Sequence, residues 1–78
     1  MNEQPHYSMT IQWSQEDGMY VVSFPEWEIE GHIAHTHGAT YEEAVQNGRA
    51  ALALLVDSAR EIGARLPEPR MFPEHQAV

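Results

Sequence analysis

Histidines are the residues of this 78-residue chain whose type and spacing most directly suggest chemistry. His32, His35 and His37 lie close together, and on a β-strand His35 and His37 would share one face. Their imidazoles could ligate a divalent metal there, with Glu28 or Glu30 completing the site. No cysteine or carboxylate stands at a recognised interval from them, so we predict no cofactor, and His35 and His37 are the candidates for any metal. Alternatively, their protonation near about pH 6 would reduce the negative charge of the protein.

The remaining reactive side chains do not form a catalytic pattern. A metal-dependent nuclease needs several carboxylates converging on its ions, whereas the two aspartates, Asp17 and Asp57, fall in a predicted turn and a predicted helix. No nucleophile elbow, P-loop or dinucleotide-binding glycine motif occurs. The absence of cysteine removes thiol nucleophiles and disulfides. We therefore predict that the protein is not an enzyme.

A tryptophan flanked by acidic residues follows Pro25, the residue that is expected to end a strand. The segment reads Glu26-Trp27-Glu28-Ile29-Glu30-Gly31 and is predicted to be a loop. An aromatic anchor surrounded by carboxylates suits an interface with a basic protein. We predict that the partner-binding residues are Glu26, Trp27, Glu28 and Glu30. The alternative is that Trp27 packs locally over the edge of the sheet.

The charge balance points to the same class of partner. The chain has twelve acidic and four basic residues, which gives a formal net charge of −8. Such a surface repels phosphate backbones, so we expect no direct binding to nucleic acid, while it attracts basic proteins and cations. Solubility alone is the alternative explanation for the charge. Residues 1–8 show no signal-peptide pattern and no stretch is apolar enough for a membrane span, which predicts a cytoplasmic protein without a membrane partner.

The hydrophobic pattern predicts a β-hairpin followed by a third strand. Side chains alternate over residues 7–13, which places Tyr7, Met9, Ile11 and Trp13 on one buried face. A polar turn ending in Asp17-Gly18 leads into a second strand over residues 19–24. Residues 32–37 are predicted to form the third, more polar strand.

A long helix and a short C-terminal segment complete the predicted fold. Thr40 and Glu43 form a capping box, an apolar stripe runs from Val45 to Ile62, and Gly63 supplies the stop. Residues 64–67 are predicted to add an edge strand, and residues 70–78 to form a flexible tail beyond an ordered core of about residues 7–69. The whole is an α+β fold in one domain, residues 1–78: a three- to four-stranded antiparallel sheet with one long helix packed on one face, in the order β-β-β-α-β.

Several short motifs occur in a fixed order along the chain. They are Tyr7-x-Met9-x-Ile11, Asp17-Gly18-x-Tyr20-Val21-Val22-Ser23-Phe24-Pro25-Glu26, Gly31, Gly38-x-Thr40-x-Glu42-Glu43-Ala44, Asn47 and Leu66-Pro67-Glu68-Pro69. This combination, which covers about residues 7–69, resembles the HicB-like antitoxin family. The resemblance implies a partial RNase H-like fold without catalytic carboxylates. It also implies a homodimer or homotetramer that neutralises a small basic mRNA interferase of the HicA type.

The chain departs from the family pattern at two places. Many members carry a DNA-binding domain after the position of Pro69, where this chain has a short segment, so operator binding is not expected. The usual Leu-Pro-Gly turn is replaced by residues 27–31, and Ala39 stands where an aspartate is common. The alternative function is therefore an orphan oligomeric regulator or scaffold that binds a small ligand or a divalent metal through His32, His35 and His37.

Overall fold

The protein is an α+β fold in which one long helix covers one face of a small sheet. The computed structural model describes residues 6–73. Its elements are β1 (Thr10–Ser14), β2 (Met19–Ser23), α1 (Pro25–Ile29), β3 (His35–Gly38) and α2 (Tyr41–Glu61). The predicted arrangement of three antiparallel strands followed by one long helix is confirmed.

The sheet has the order β1-β2-β3, with β2 in the centre. Ile11, Val22 and Thr36 lie opposite one another across the three strands, on the side that faces α2. Val22 is fully buried there. The other face carries Gln12, Val21 and His37 in register and is not covered by α2, as is common for antiparallel sheets.

The core lies between β2, α1 and α2, and its buried hydrophobic residues are Val22, Phe24, Trp27, Ala44, Val56 and Ala59. Glycine allows the closest approaches between sheet and helix. A methyl group added at Gly38 would overlap the backbone of Ala44, and one added at Gly48 would lie 2.6 Å from the sulfur of Met9. These two positions therefore set how near α2 sits to the strands.

Helix α2 begins where the capping box predicts. The Thr40 hydroxyl accepts a hydrogen bond from the Glu43 amide at 3.0 Å. The Glu43 carboxylate reaches one residue further back than expected and accepts from the Ala39 amide at 2.6 Å. The helix ends at Glu61, and Gly63 adopts a positive φ of 71°. Ile62, which was predicted to lie on the buried stripe, is 79% exposed. It is the C-cap residue, just past the helix, so the helical periodicity behind that prediction no longer applies to it.

Trp13 was predicted to be a core residue and is instead 52% exposed. Its position on the helix-facing side is as the alternation predicts, since it pairs with Tyr20 two residues from Val22. The prediction of burial is wrong because Trp13 lies at the end of the sheet where α2 begins with Tyr41. No turn of the helix precedes that residue to cover the indole.

The strands differ from the prediction mainly in where β1 and β3 begin and in the segment after α2. β1 begins at Thr10 and β3 at His35, later than predicted. Within the described residues, positions 64–67 form no strand. This segment instead crosses the core as an extended strap (residues 64–70), where Leu66 packs on the core and the Tyr7 hydroxyl donates to the Pro67 carbonyl at 2.5 Å. Of the predicted flexible tail, residues 74–78 lie outside the described part, while Arg70 is held by Glu26.

Candidate functional site

The acidic segment after β2 is a one-turn helix rather than the predicted loop. Pro25 occupies the first helical position, where its missing N–H costs nothing and its fixed φ favours the helix. The carboxylates of Glu26 and Glu28 lie in this first turn, the end at which negative charge is favoured. The amides of Trp27 and Glu28 both donate to the Phe24 carbonyl at 3.1 Å. This turn divides the segment into a buried half and an exposed half.

Glu26 belongs to the buried half, with 2% of its surface exposed. Its carboxylate accepts hydrogen bonds from the Ser8 amide at 3.0 Å, the Ser8 hydroxyl at 2.9 Å and the Arg70 amide at 2.9 Å. Burial by itself raises the pKa of the Glu26 carboxyl, but the hydrogen bonds from Arg70 and Ser8 outweigh it, so that the pKa lies below its ordinary value. Glu26 is therefore ionised, and its hydrogen bonds join the N-terminal segment to the strap.

Trp27 also faces inward, with 3% of its surface exposed. Its ring contacts Tyr7 edge-on at a centroid distance of 5.4 Å and His32 at 6.3 Å. The indole N–H has no hydrogen-bond acceptor among the described residues. Local packing, the alternative considered for this tryptophan, is thus what the structure shows. Two of the four predicted contact residues, Glu26 and Trp27, lie in the interior and anchor the segment.

The exposed half forms an acidic ridge, which we define as residues 28–33. Glu28 and Glu30 are both exposed. Between and beside them, Ile29 and Ile33 present 69% and 74% of their surface to solvent. The sequence pattern did not single out these two isoleucines. Helical geometry could have indicated Ile29, because positions two apart in a helix point in nearly opposite directions and Trp27 is buried. Ile33 lies beyond α1, where this geometry does not apply.

The histidines do not come together as a metal site. His35 and His37 share the outer face of β3, opposite Ser23 and Val21, while His32 packs against Trp27. His35 Nε2 lies 3.8 Å from the Glu28 carboxylate, which becomes an ion pair only when the imidazole is protonated. Within residues 6–73, no group of three metal-binding side chains is assembled. The geometry therefore adds no support to ligation through His32, His35 and His37.

Among the described residues, two depressions are further candidates for a ligand site. A cavity of about 140 Å³ between α1 and the end of α2 is lined by Trp27, His32, Leu55, Ser58, Ala59, Ile62, Ala64 and Arg65. It is smaller than the range of about 300–1,000 Å³ that is typical of small-molecule pockets. A larger groove of about 490 Å³ lies between the residues preceding β1 and α2. The cavity has His32, Ser58 and Arg65 as the polar members of its lining, and the groove has Tyr7 and Arg49.

No protein-family model, curated protein or solved structure matches this chain. Its resemblance to HicB-like antitoxins therefore remains a prediction from its motifs. Within the described residues, neither helix combines the length and the apolar character that crossing a membrane requires. The acidic ridge is the site that joins exposed charge, exposed apolar surface and a rigid support.

Proposed function

We propose that this protein is a non-catalytic binding protein of the antitoxin type, which neutralises a small basic protein in the cytoplasm. The observation that carries the proposal is the acidic ridge. Its two exposed carboxylates, Glu28 and Glu30, alternate with the exposed side chains of Ile29 and Ile33. Carboxylates around an apolar centre are complementary to a basic surface with apolar patches, since the charges orient the partner and the isoleucines provide buried contact area.

The ridge is held in place before any partner arrives. Trp27 fills the core directly beneath it, and Glu26 fastens the same turn of α1 to Ser8 and Arg70. A segment fixed in this way loses little conformational entropy on binding, which favours affinity. Glu26 and Trp27 thus support the interface from below, while Glu28 and Glu30 form it.

The acidic surface is available to a partner because it is not neutralised internally. Among residues 6–73, no arginine lies within 4.0 Å of a carboxylate, and the contact of His35 with Glu28 is an ion pair only when the imidazole is protonated. The net charge of −8 speeds encounter with a cationic protein and slows encounter with nucleic acid. The proposed mechanism is occlusion: the ridge covers the basic, RNA-binding surface of an mRNA interferase of the HicA type, and no covalent step is involved. Assembly of the antitoxin as a homodimer or homotetramer belongs to the same proposal, since a 78-residue chain has a small core.

Co-expression with the small basic protein encoded beside this one tests the proposal. We expect the neighbour alone to arrest growth and cleave RNA, and we expect this chain to restore growth and to co-purify with it. The double variant Glu28→Lys/Glu30→Lys should fail to restore growth although it folds. A harmless neighbour, or one that never co-purifies, would refute the antitoxin function.

A further inference from the structure

Three aromatic rings form a continuous row at the end of the sheet opposite the acidic ridge. Tyr20 contacts both of its neighbours edge to face: its ring centroid lies 5.0 Å from that of Trp13 and 5.7 Å from that of Tyr41. Trp13 is 52% exposed and Tyr41 57% exposed. Large aromatic side chains of a small domain normally point into its core. A half-exposed row of them therefore indicates a surface that binds a partner.

The backbone register explains why the row is both ordered and open. Trp13, Tyr20 and Gly38 stand opposite one another on β1, β2 and β3. Gly38 has no side chain to fill the third place, and Ala44 approaches its backbone too closely for one to fit. Tyr41, the first residue of α2, lies over that side of Tyr20. Because the helix starts here, no preceding helical turn covers the rings, and Trp13 and Tyr41 stay more than half exposed.

Acidic residues border the row. Glu16 and Asp17 occupy the exposed turn that joins Trp13 and Ser14 to β2, and exposed Glu42 follows Tyr41. The chain's basic residues are the four arginines Arg49, Arg60, Arg65 and Arg70. Arg49 lines the groove beside Tyr7, and Arg60 is about 28 Å from Tyr41 along the helix axis, at 1.5 Å per residue. The aromatic row therefore lies in a negative part of the surface.

We propose that this aromatic row is a second docking surface, which receives an arginine side chain of a basic partner by cation–π contact with Trp13 and Tyr41. A cation is attracted to the face of an indole or phenol ring, and the guanidinium can also stack on it. The flanking carboxylates of Glu16, Asp17 and Glu42 add charge complementarity. A second copy of this chain is disfavoured as the occupant of this surface, because a symmetric contact through the row would bring the carboxylates of Glu16, Asp17 and Glu42 against the same carboxylates of the other copy.

The inference deepens the proposed function, because the same class of partner would engage both the ridge and the row. The two surfaces flank opposite ends of β2, with Tyr20 at one end and Phe24 just past the other. The two residues are four positions apart in extended chain, which spans about 13 Å. A small basic protein is wide enough to span this distance, so the row would contribute an arginine contact beside the ridge.

Nuclear magnetic resonance with short peptides tests the row without the natural partner. The protein has two tryptophans, and Trp13→Phe assigns their two indole N–H signals. The probe is acetyl-Gly-Arg-Gly-Arg-Gly-amide, and its control replaces each arginine with citrulline, which is planar and uncharged. We expect the arginine peptide to move the Trp13 signal while the signal of buried Trp27 stays in place. The citrulline peptide should have little effect. In Trp13→Leu/Tyr41→Leu, where the Trp13 indole is absent and binding is followed through backbone amide signals of the β1–β2 turn, affinity for the arginine peptide should fall about threefold to tenfold.

Other results would overturn the inference. Equal shifts with both peptides would show that charge plays no part, and unchanged affinity in the Leu double variant would show that the rings play none. A Trp13 signal that moves when the protein alone is diluted would assign the row to a second copy.

The proposed function can fail independently of the aromatic row. If the neighbouring basic protein never binds but the arginine peptide does, only the antitoxin proposal is refuted. If the neighbour binds the Leu double variant as tightly as the natural chain, only the proposal that the aromatic row contacts the partner is refuted.

Discussion

The carboxylate of Glu26 ties together two segments that are far apart in sequence. It receives hydrogen bonds from Ser8 and from Arg70, on either side of the core. In Glu26→Gln an amide N–H₂ would meet one of these donors, so a hydrogen bond is lost and a buried donor is left unpaired. We expect a loss of about 1–3 kcal/mol in the free energy of unfolding at pH 7, measured by urea denaturation. Glu30→Gln, at an exposed position of the same segment, is the matched control and should change stability little.

The same carboxylate makes stability depend on pH with a defined sign. Its folded-state pKa is lowered by hydrogen bonds despite burial, so its stabilising contribution is fully present above the ordinary glutamate pKa of 4.5 and is lost as the pH falls through the lower, folded-state value. Urea midpoints measured from pH 7 down to about pH 3 should therefore fall less steeply below about pH 4.5 in Glu26→Gln than in the natural protein. Parallel curves would show that Glu26 does not carry this dependence.

Thr40 controls the start of α2 through a single hydroxyl. Its oxygen accepts the Glu43 amide, so Thr40→Ala leaves a first-turn N–H without a protein partner. The expected cost is about 1 kcal/mol in the free energy of unfolding. Ser58→Ala removes a hydroxyl from the interior of the same helix, at another exposed position, and should be neutral or slightly stabilising because alanine is the better helix former. Equal losses in the two variants would argue against the cap.

At the level of elements, we predict that the charges of the acidic ridge, which begins in α1 and continues past it, contribute most to the affinity for the partner. Glu28→Lys/Glu30→Lys should weaken binding to the basic neighbour by tenfold or more, since it replaces attraction by repulsion at the contact. Glu16→Lys/Asp57→Lys changes the net charge by the same amount at exposed positions on the β1–β2 turn and on α2, outside the ridge and outside the cavity beside it, and should have a smaller effect. Isothermal titration calorimetry of both variants separates a local contact from the overall charge. Equal losses would mean that the ridge is not the interface.

The contact between sheet and helix predicts a second effect at this level. Gly38→Ala places a methyl group against the backbone of Ala44, which cannot move without shifting the start of α2. We expect a loss of about 1–3 kcal/mol from overpacking, measured by thermal or urea unfolding. Gly48→Ala should cost less, because its closest contact, at 2.6 Å, is the sulfur near the flexible end of Met9, whereas buried Val22 lies at 3.0 Å and no backbone atom is among its three nearest contacts. Alanine also favours the helix. A larger loss at Gly48 than at Gly38 would contradict this account of the packing.

The two tryptophans show how much of the site could be read from sequence. The alternation of β1 gave Trp13 the correct face, but its exposure depends on where α2 begins relative to the sheet, which is a tertiary property. Trp27 and Glu26 were expected at the surface because they lie among acids, yet α1 turns both inward. Local patterns predicted the hairpin and the capped helix, whose determinants lie within a few residues. The strap was not predicted, since its partners Tyr7 and Glu26 are distant in sequence.

At the scale of the whole molecule, the net charge of −8 predicts that partner binding depends on salt. Exposed charges are screened over about 10 Å at 0.1 M salt and over shorter distances as salt rises. The dissociation constant for the basic neighbour should therefore increase steadily between about 0.05 M and about 0.5 M salt, mainly through slower association. Stopped-flow measurement of the association rate tests this prediction. A rate independent of salt would mean that the acidic surface does not guide the encounter.

The most direct test of the central claim is the RNA-cleavage activity of the small basic neighbour, titrated with this purified chain. The account predicts that cleavage falls to background near stoichiometric amounts and that Glu28→Lys/Glu30→Lys restores it. Continued cleavage in the presence of excess folded chain would contradict the claim that this protein acts by covering a basic, RNA-binding surface.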